Sequence, residues 1–330
     1  MTIISSCQSQ SNMETQTENS SDKYPQSLIQ RTKLLEGRYV YSVINNGGSY
    51  FLIDLPIYED GIVDCWGAVD LPRLKEKLQT GWLTPQIPSG EKVSLFHLGS
   101  WNLVSPEWKY SKNNYYDFIL SVIKAMNPKL ENLFTAEETS KVIGNSNYSV
   151  FGYSSAELIR KDSERPNFKN QKGDRIHFFI KQTEQIYELA NLNIYPDSIL
   201  LIDGIEKPRT VDLNGLKALS KSKELTTELP IGATLKIKNL GEFQVTKCNY
   251  HADLENKIAE VSDIINKLNG KPTTSEICFK IYQEYKENPN GILKNKLKEA
   301  YENIPNHLRV YVLGDMDAKD WPIRAIIYEE

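Results

Sequence analysis

The feature that most constrains this chain is a pair of apolar runs closed by a glycine-rich turn. Tyr39-Val-Tyr-Ser-Val-Ile44 and Tyr50-Phe-Leu-Ile-Asp-Leu55 are built from aromatic and β-branched residues, which suit a pleated, half-buried surface. Between them, Asn45-Asn-Gly-Gly48 supplies the positive φ angles of a tight hairpin turn. The run continues through Gly61-Ile-Val-Asp-Cys-Trp66 to His97-Leu-Gly-Ser-Trp101. Asp70 ahead of Leu71 and Pro72 reads as an N-cap with proline in the first helical turn. Leu71, Leu74 and Leu78 share a face, and Gly81 supplies the stop. Residues 101–108 read as a strand and turn. Residues 114–126 form a second helix, with Tyr116, Ile119, Leu120 and Ile123 on one stripe ahead of Pro128. Together these segments predict an aromatic-rich, β-containing domain over residues 33–135.

The remainder is organised differently. Residues 1–32 are rich in Ser, Gln, Thr and Asn and predict a disordered leader, since too little apolar surface is present to offset ordering. Residues 136–250 read as a loop-rich middle region with hairpins. Asn145-Ser-Asn-Tyr-Ser149 and Asp162-Ser-Glu-Arg-Pro166 are polar connectors, and Ile199-Leu-Leu-Ile202 enters a turn at Asp203-Gly204. Leu235 and Ile237 alternate with Phe243 and Val245 about Asn239-Leu-Gly241. Residues 251–330 read as a helical domain. Leu254, Ile258, Val261, Ile265 and Leu268 repeat at helical spacing before Gly270, and Thr273-Thr-Ser-Glu276 has the capping-box spacing for the next helix. Asn288-Pro-Asn-Gly291 breaks that helix, and 292–302 forms another. Arg309–Leu313 and Ile323–Tyr328 read as a closing strand pair. No internal repeat is evident by inspection. The fold class is α+β.

Composition narrows the functional classes. The 330 residues suffice for two or three cores, and a net charge of −4 gives no general attraction to nucleic acid or an anionic membrane. Cys7, Cys65, Cys248 and Cys278 show no CxxC pairing and read as reduced thiols. No window approaches the roughly 18 apolar residues of a membrane span. The cytoplasm is the expected compartment.

Four constellations carry possible chemistry. Asp315, Asp317 and Asp320 lie on one acidic turn whose carboxylates suit Mg²⁺ or Ca²⁺, although Asp is also an ordinary turn former. Asp54, Glu59, Asp60 and Asp64 form a second acidic group. Asp54 interrupts an apolar strand, and it reads either as acid–base machinery or as a brace for the Pro56–Gly61 loop. Cys65 and His97 are a formal nucleophile–base pair, but a cysteine beside Trp66 in an apolar run reads better as a small core residue. Cys248 near His251 falls short of a zinc site. No phosphate loop or dinucleotide fingerprint is present. Finally, Trp66, Trp82, Trp101, Trp108, Tyr110, Tyr115 and Tyr116 crowd one region. Most belong in a core, and a few at strand ends suit a recognition patch.

The run Tyr50–Trp66 with Gly99-Ser-Trp101 resembles small uncharacterised bacterial domains of immunity and defence neighbourhoods. Tyr301-Glu-Asn-Ile-Pro305, Gly314-Asp-Met-Asp-Ala-Lys-Asp320 and Arg324-Ala-Ile-Ile-Tyr328 resemble a second such family. Neither resemblance implies a catalytic set. The leading expectation is a non-enzymatic protein-binding protein, an immunity-type inhibitor or defence-system subunit, with a basic protein partner and no cofactor. Its expected contact residues are Glu59, Asp60, Trp66, Asp315, Asp317 and Asp320. The alternative is a metal-dependent hydrolase or nuclease using Mg²⁺ or Ca²⁺ at the Asp315/Asp317/Asp320 loop.

Overall fold

A computed structural model describes residues 35–135, 138–143, 146–151, 158–159, 173–314 and 317–329. The expected leader and Asp315 lie outside these residues. The described residues fall into two compact units, the smaller comprising 138–143 and 146–151 and the larger the rest.

The amino-terminal part of the larger unit begins with the expected hairpin, β1 (Leu35–Asn46) and β2 (Ser49–Tyr58). Asn45 Oδ1 accepts from Gly48 N at 2.9 Å in the turn. Short strands β3 (Val63–Asp64) and β4 (Ala68–Val69) lead to helix α1 (Leu71–Thr80). Asp70 caps it by accepting from Arg73 N, and Gly81 ends it at φ 78°. Strands β5 (Leu83–Thr84), β6 (Lys92–Leu95) and β7 (Gly99–Trp108) precede helix α2 (Lys112–Met126).

In the smaller unit, β8 (Glu138–Ile143) and β9 (Ser146–Phe151) form an antiparallel hairpin, so part of the stretch read as connector is strand. The two-residue strand β10 (Leu158–Ile159) pairs parallel with β1.

The elements of the first half then recur in the same order. They are β11 (Asp174–Lys181), β12 (Ile186–Ile194), β13 (Leu200–Asp203), β14 (Arg209–Val211), α3 (Leu213–Lys221), β15 (Leu225–Thr226), β16 (Thr234–Ile237), β17 (Gly241–His251) and α4 (Leu254–Leu268). The pairing recurs as well. In each half the first two strands are antiparallel, the second pairs in parallel with the second strand after the short helix, and that strand pairs antiparallel with the next. Val43 and Ile44 face Thr84 and Leu83, as Phe179 and Ile180 face Thr226 and Leu225. The chain is an internal duplication, which corrects the reading of no repeat.

With the register in hand, the repeat is visible in the sequence at a constant spacing of 142 residues. Asp70, Leu71, Leu74, Leu83, Thr84, Pro88, Gly90, Leu98 and Gly99 recur as Asp212, Leu213, Leu216, Leu225, Thr226, Pro230, Gly232, Leu240 and Gly241. These residues set caps, turns and core positions while the surface between them has diverged. The halves join where β7 and β17 pair antiparallel, and the equivalent residues Leu103 and Val245 face each other there. Gly99 and Gly241 sit in this seam. A Cβ on Gly99 would strike Tyr250 O and the Trp101 ring, and one on Gly241 would strike Glu107 O and the Trp108 backbone. Glycine is required at both for two backbones to approach.

The result is one large curled mixed sheet of 15 strands with a core that spans both halves. That core runs from Ile44, Leu55, Ile119 and fully buried Trp101 to Phe179, Leu235, Phe243 and Val245. A second cluster, including Phe178, Leu192 and Ile202, lies under α3 and α4.

The carboxy-terminal part is helical. It contains α5 (Thr274–Glu287), α6 (Gly291–Glu302), a 3-10 helix (Asn306–Tyr311) and α7 (Trp321–Tyr328), packed about Cys278, Leu297, Ile304, Val312, Ile323 and Ile327. The capping box is formed, with Thr273 Oγ1 accepting from Glu276 N and Glu276 accepting from Thr273 N. The expected strand pair is not there. Arg309–Leu313 belongs to the 3-10 helix and its exit. Ile323–Tyr328 is helical because Pro322 sits in a first turn and Ile323 and Ile327, four apart, bury one stripe. The fold remains α+β. Among the described residues no helix is long and apolar enough to cross a membrane.

Candidate functional site

Two places in the larger unit carry groups that its own repeat does not require.

The first is an aromatic platform. Trp66, 57% exposed and held at φ 57°, lies at the tip of the β3–β4 hairpin. Its ring meets Phe51 at 5.0 Å and Trp82 at 6.4 Å between centroids, edge-on to the latter, and Lys77 Nζ lies 3.7 Å over the Trp82 ring. The duplication supplies a control. Phe51 pairs with Ser94 as Glu188 pairs with Lys236, and Trp82 precedes Leu83 as Glu224 precedes Leu225, so the counterparts of Phe51 and Trp82 are acidic. The hairpin of the second half is longer and carries Asp203, paired with Lys238 at 3.4 Å. Glu224 meets Arg209 at 2.5 Å, and Glu188 meets Gln182 and Glu206 N. The fold thus closes over ordinary solvated ion pairs where the first half presents rings.

The second is a cleft of about 370 Å³, lined in part by Phe96, Arg175, His177, Lys257, Glu260 and Lys267. One wall is the contact between the halves. Tyr41 on β1 and His177 on β11 are equivalent, as are Asp54 on β2 and Asn191 on β12, since Tyr41 pairs with Asp54 and His177 with Asn191. The Tyr41 hydroxyl donates to Asn191 Oδ1 at 2.8 Å, and the mirrored contact brings His177 Nε2 to 3.1 Å from Asp54 Oδ2. Arg175 Nη1 stands 3.5 Å from Asp54 Oδ1, its Nε donates to Asn193 Oδ1, and its guanidinium lies 3.7 Å over the Tyr39 ring. Burial works to raise the Asp54 carboxyl, but His177 and then Arg175 hold it below its ordinary value.

The other wall is a buried charge network on α4. Lys257, 1% exposed, donates to Glu260 Oε2 at 2.5 Å; His307 Nε2 lies 2.9 Å from the same oxygen, and His97 Nδ1 lies 3.3 Å from Oε1. Burial would raise the Glu260 carboxyl. The contacts with His307, His97 and Lys257 outweigh it and keep the group well below the ordinary range. Burial pulls the Lys257 ammonium down, and Glu260 restores only part of that. Asp263 accepts from Thr274 N and Oγ1, which fastens α4 to the start of α5. His97 occupies a turn at φ 57° whose counterpart is Asn239 at φ 62°, a residue better suited to the left-handed region. Phe96, 70% exposed, stacks on the His97 ring at 3.7 Å.

The structure separates most of the residues grouped from sequence. Trp66 is at the platform. Asp60 caps its own loop through Ile62 N at 3.3 Å, and the Glu59 carbonyl accepts from Asn127. Asp54 reaches across to the second half and does not brace the Pro56–Gly61 loop. Asp317 is exposed, whereas Asp320 is buried and accepts from the Tyr301 hydroxyl at 2.5 Å, which commits it to the helical core. Among the described residues no group of three or more His, Cys, Asp or Glu is placed to hold a metal ion. Cys65 and His97 form no pair: the Cys65 thiol, pushed up to about 12 by burial, points at Gly67 O, and His97 is engaged by Glu260. Sequence reasoning missed Arg175, His177, Lys257 and Glu260. The available signal was the charged Lys257 and Glu260 on the flank of an otherwise regular apolar stripe.

The comparisons agree with this division. The family described as "Domain of unknown function (DUF7638)" matches residues 25–130 and 164–272, the two stretches that carry the repeated halves. The family described as "Domain of unknown function (DUF7639)" matches residues 273–330, the helical part. No curated protein and no solved structure matches. With its matched stretches covering most of the sequence, the chain belongs to the DUF7638 family.

Proposed function

We propose that this is a non-enzymatic protein-binding protein that docks a partner on the Trp66 platform. The supporting observation is the difference between the halves: rings at Phe51, Trp66 and Trp82 against Glu188, Asp203 and Glu224. Exposed tryptophan costs solubility, and the second half shows that this fold does without it there. Pre-packed rings lose little side-chain freedom on binding and are enriched at interface hot spots. An immunity-type inhibitor acting on a basic effector suits the net charge of −4, because complementary potentials steer association. Of the expected contacts, Trp66 belongs to the platform, Glu59 and Asp60 lie in the loop that precedes its hairpin, and buried Asp320 is withdrawn.

The test is affinity capture from the native host with the wild-type chain, Trp66→Asp, and Trp321→Ala, a second exposed tryptophan away from the platform. A stoichiometric partner retained by wild type and Trp321→Ala but lost by Trp66→Asp supports the reading. Loss of a hot spot costs about 2–4 kcal/mol, or roughly thirtyfold or more in affinity. A partner held equally by Trp66→Asp refutes the platform as the docking face.

A further inference from the structure

The helical part meets the sheet at a joint unlike the seam between the halves. Across the β7–β17 seam the two halves share one apolar core. Across Pro272, among the described residues, no core is shared. The clusters about Val43 and Phe178 hold only residues before it, and the cluster about Cys278 only residues after it. What fastens the two parts is polar. His307 Nε2 lies 2.9 Å from Glu260 Oε2, Asn306 N donates to Asn256 Oδ1 at 2.9 Å, and Thr274 N donates to Asp263 Oδ1 at 3.0 Å. At the rim the Tyr311 ring stands 5.9 Å from that of exposed Phe96 and 5.1 Å from that of His97.

The duplication shows that the sheet does not require these groups. The counterparts of Glu260, Asp263, Phe96 and His97 in the other half are Phe118, Ser121, Lys238 and Asn239, and the Phe118 ring stacks on Tyr110 of its own half at 4.7 Å. The connection between the parts bends at one place. Lys271 N still donates to Asn266 O on α4, and Thr273 already opens the capping box of α5, so exposed Pro272 alone lies between them. Gly270, at φ 69°, has open space on its side-chain face. A polar interface between separately cored parts permits relative motion, which a large apolar one prevents. Opening also returns Lys257, Glu260 and the imidazoles to water, recovering hydration that burial forfeits. The helical part supplies Thr273, Ser275 and Leu308 to the lining of the cleft between β11 and α4, so its position governs access to that space. We infer that the helical part is a lid, hinged at Pro272 and latched over the cleft by Glu260, which swings open with its own core intact. The lid is independent of the Trp66 platform.

The experiment is chemical labelling of the folded full chain, read by peptide mass mapping. Diethyl pyrocarbonate modifies imidazoles and amines, and iodoacetamide in parallel modifies thiols. The rate at each residue is divided by its rate in the urea-unfolded chain, which gives its protection. His307 on the lid and Lys257 on α4, 3% and 1% exposed, lie on opposite sides of the joint. Cys278 is buried in the core of the lid and Cys65 in that of the first half. The expected result is one common protection at His307 and Lys257, weaker than that of Cys278 and Cys65 by about tenfold or more, because a sub-global opening precedes unfolding. Tyr311→Ala and Asn256→Ala each delete one contact across the joint. Each should raise the rates at His307 and Lys257 together by about fivefold and leave Cys278 unchanged. Protection at His307 and Lys257 as strong as that at Cys278 would mean that the joint opens only on unfolding, which overturns the lid. Reactivity at one of the two without the other would mean local fraying and also overturns it, as do variants that leave both rates unchanged.

Discussion

The two halves of the sheet share strands, register, caps and seam, yet they bury opposite chemistry under their long helices. Under α2 lie Tyr115, Ile119 and Ile123; under α4 lie Lys257, Glu260 and Asp263 beside Val261 and Ile264. The comparison separates what the fold demands from what has been added. Residues kept in both halves answer to backbone geometry and core volume, as Gly99 and Gly241 do in the seam. Residues that differ answer to something else. In the first half that is the ring platform, and in the second the charged cleft.

The sharpest way to break the comparison is to unbalance the α4 network. Glu260→Ala leaves Lys257, 1% exposed, without its counter-charge and strips His97 and His307 of their shared acceptor. Removing one member of a buried pair costs about 3–5 kcal/mol, and urea unfolding should show a loss of that size. The double change Lys257→Tyr with Glu260→Phe copies the first half. It should cost far less than Glu260→Ala alone, because ring packing replaces the pair. Equal losses in the two variants would mean that the halves are not interchangeable at this place.

The mirrored contacts between halves should also be unequal. Asp54→Ala uncovers Arg175 and His177 together, whereas Tyr41→Phe deletes one neutral hydrogen bond to Asn191. The expected costs are about 3 kcal/mol for the first and about 1 kcal/mol for the second.

Acid should act through the same residues. Asp54 and Glu260 both have folded values below their ordinary 3.8 and 4.5. The stability they contribute is therefore complete above those ordinary values, and it is lost as pH falls from there towards the depressed ones. Glu260→Gln should flatten the acid limb of a stability-versus-pH curve below about pH 4.5. An acid limb as steep as that of the wild type would remove Glu260 as a source.

How much of this was legible in the sequence follows from the range of each interaction. The β1–β2 hairpin, the Asp70 and Gly81 caps, the Thr273–Glu276 capping box and the α4 stripe are set by neighbours a few residues apart, and they were read correctly. The duplication escaped because divergent surface residues mask the shared caps and core positions, which carry the spacing of 142 only when the whole second half is laid along the first. The terminal segments failed as strands because Ile323, Ile326 and Ile327 suit either period, and packing against α6 decides. The cleft was invisible for another reason: Asp54 meets Arg175 and His177, and His97 meets Glu260, only after the halves fold together.

The smallest expected effect bears on the platform itself. If its rings exist for a partner and not for the fold, replacing Trp66 should hardly change stability, because its side chain is mostly in solvent and its counterpart hairpin closes without a ring. Surface substitutions of this kind fall within about 0.5 kcal/mol. Trp66→Ala should therefore unfold at nearly the wild-type denaturant midpoint, while Trp101→Ala, which empties a site 2% exposed at the seam, should cost about 3–5 kcal/mol. A Trp66→Ala loss approaching that of Trp101→Ala would make the platform a structural brace, and the difference between the halves would then lie only in the cleft.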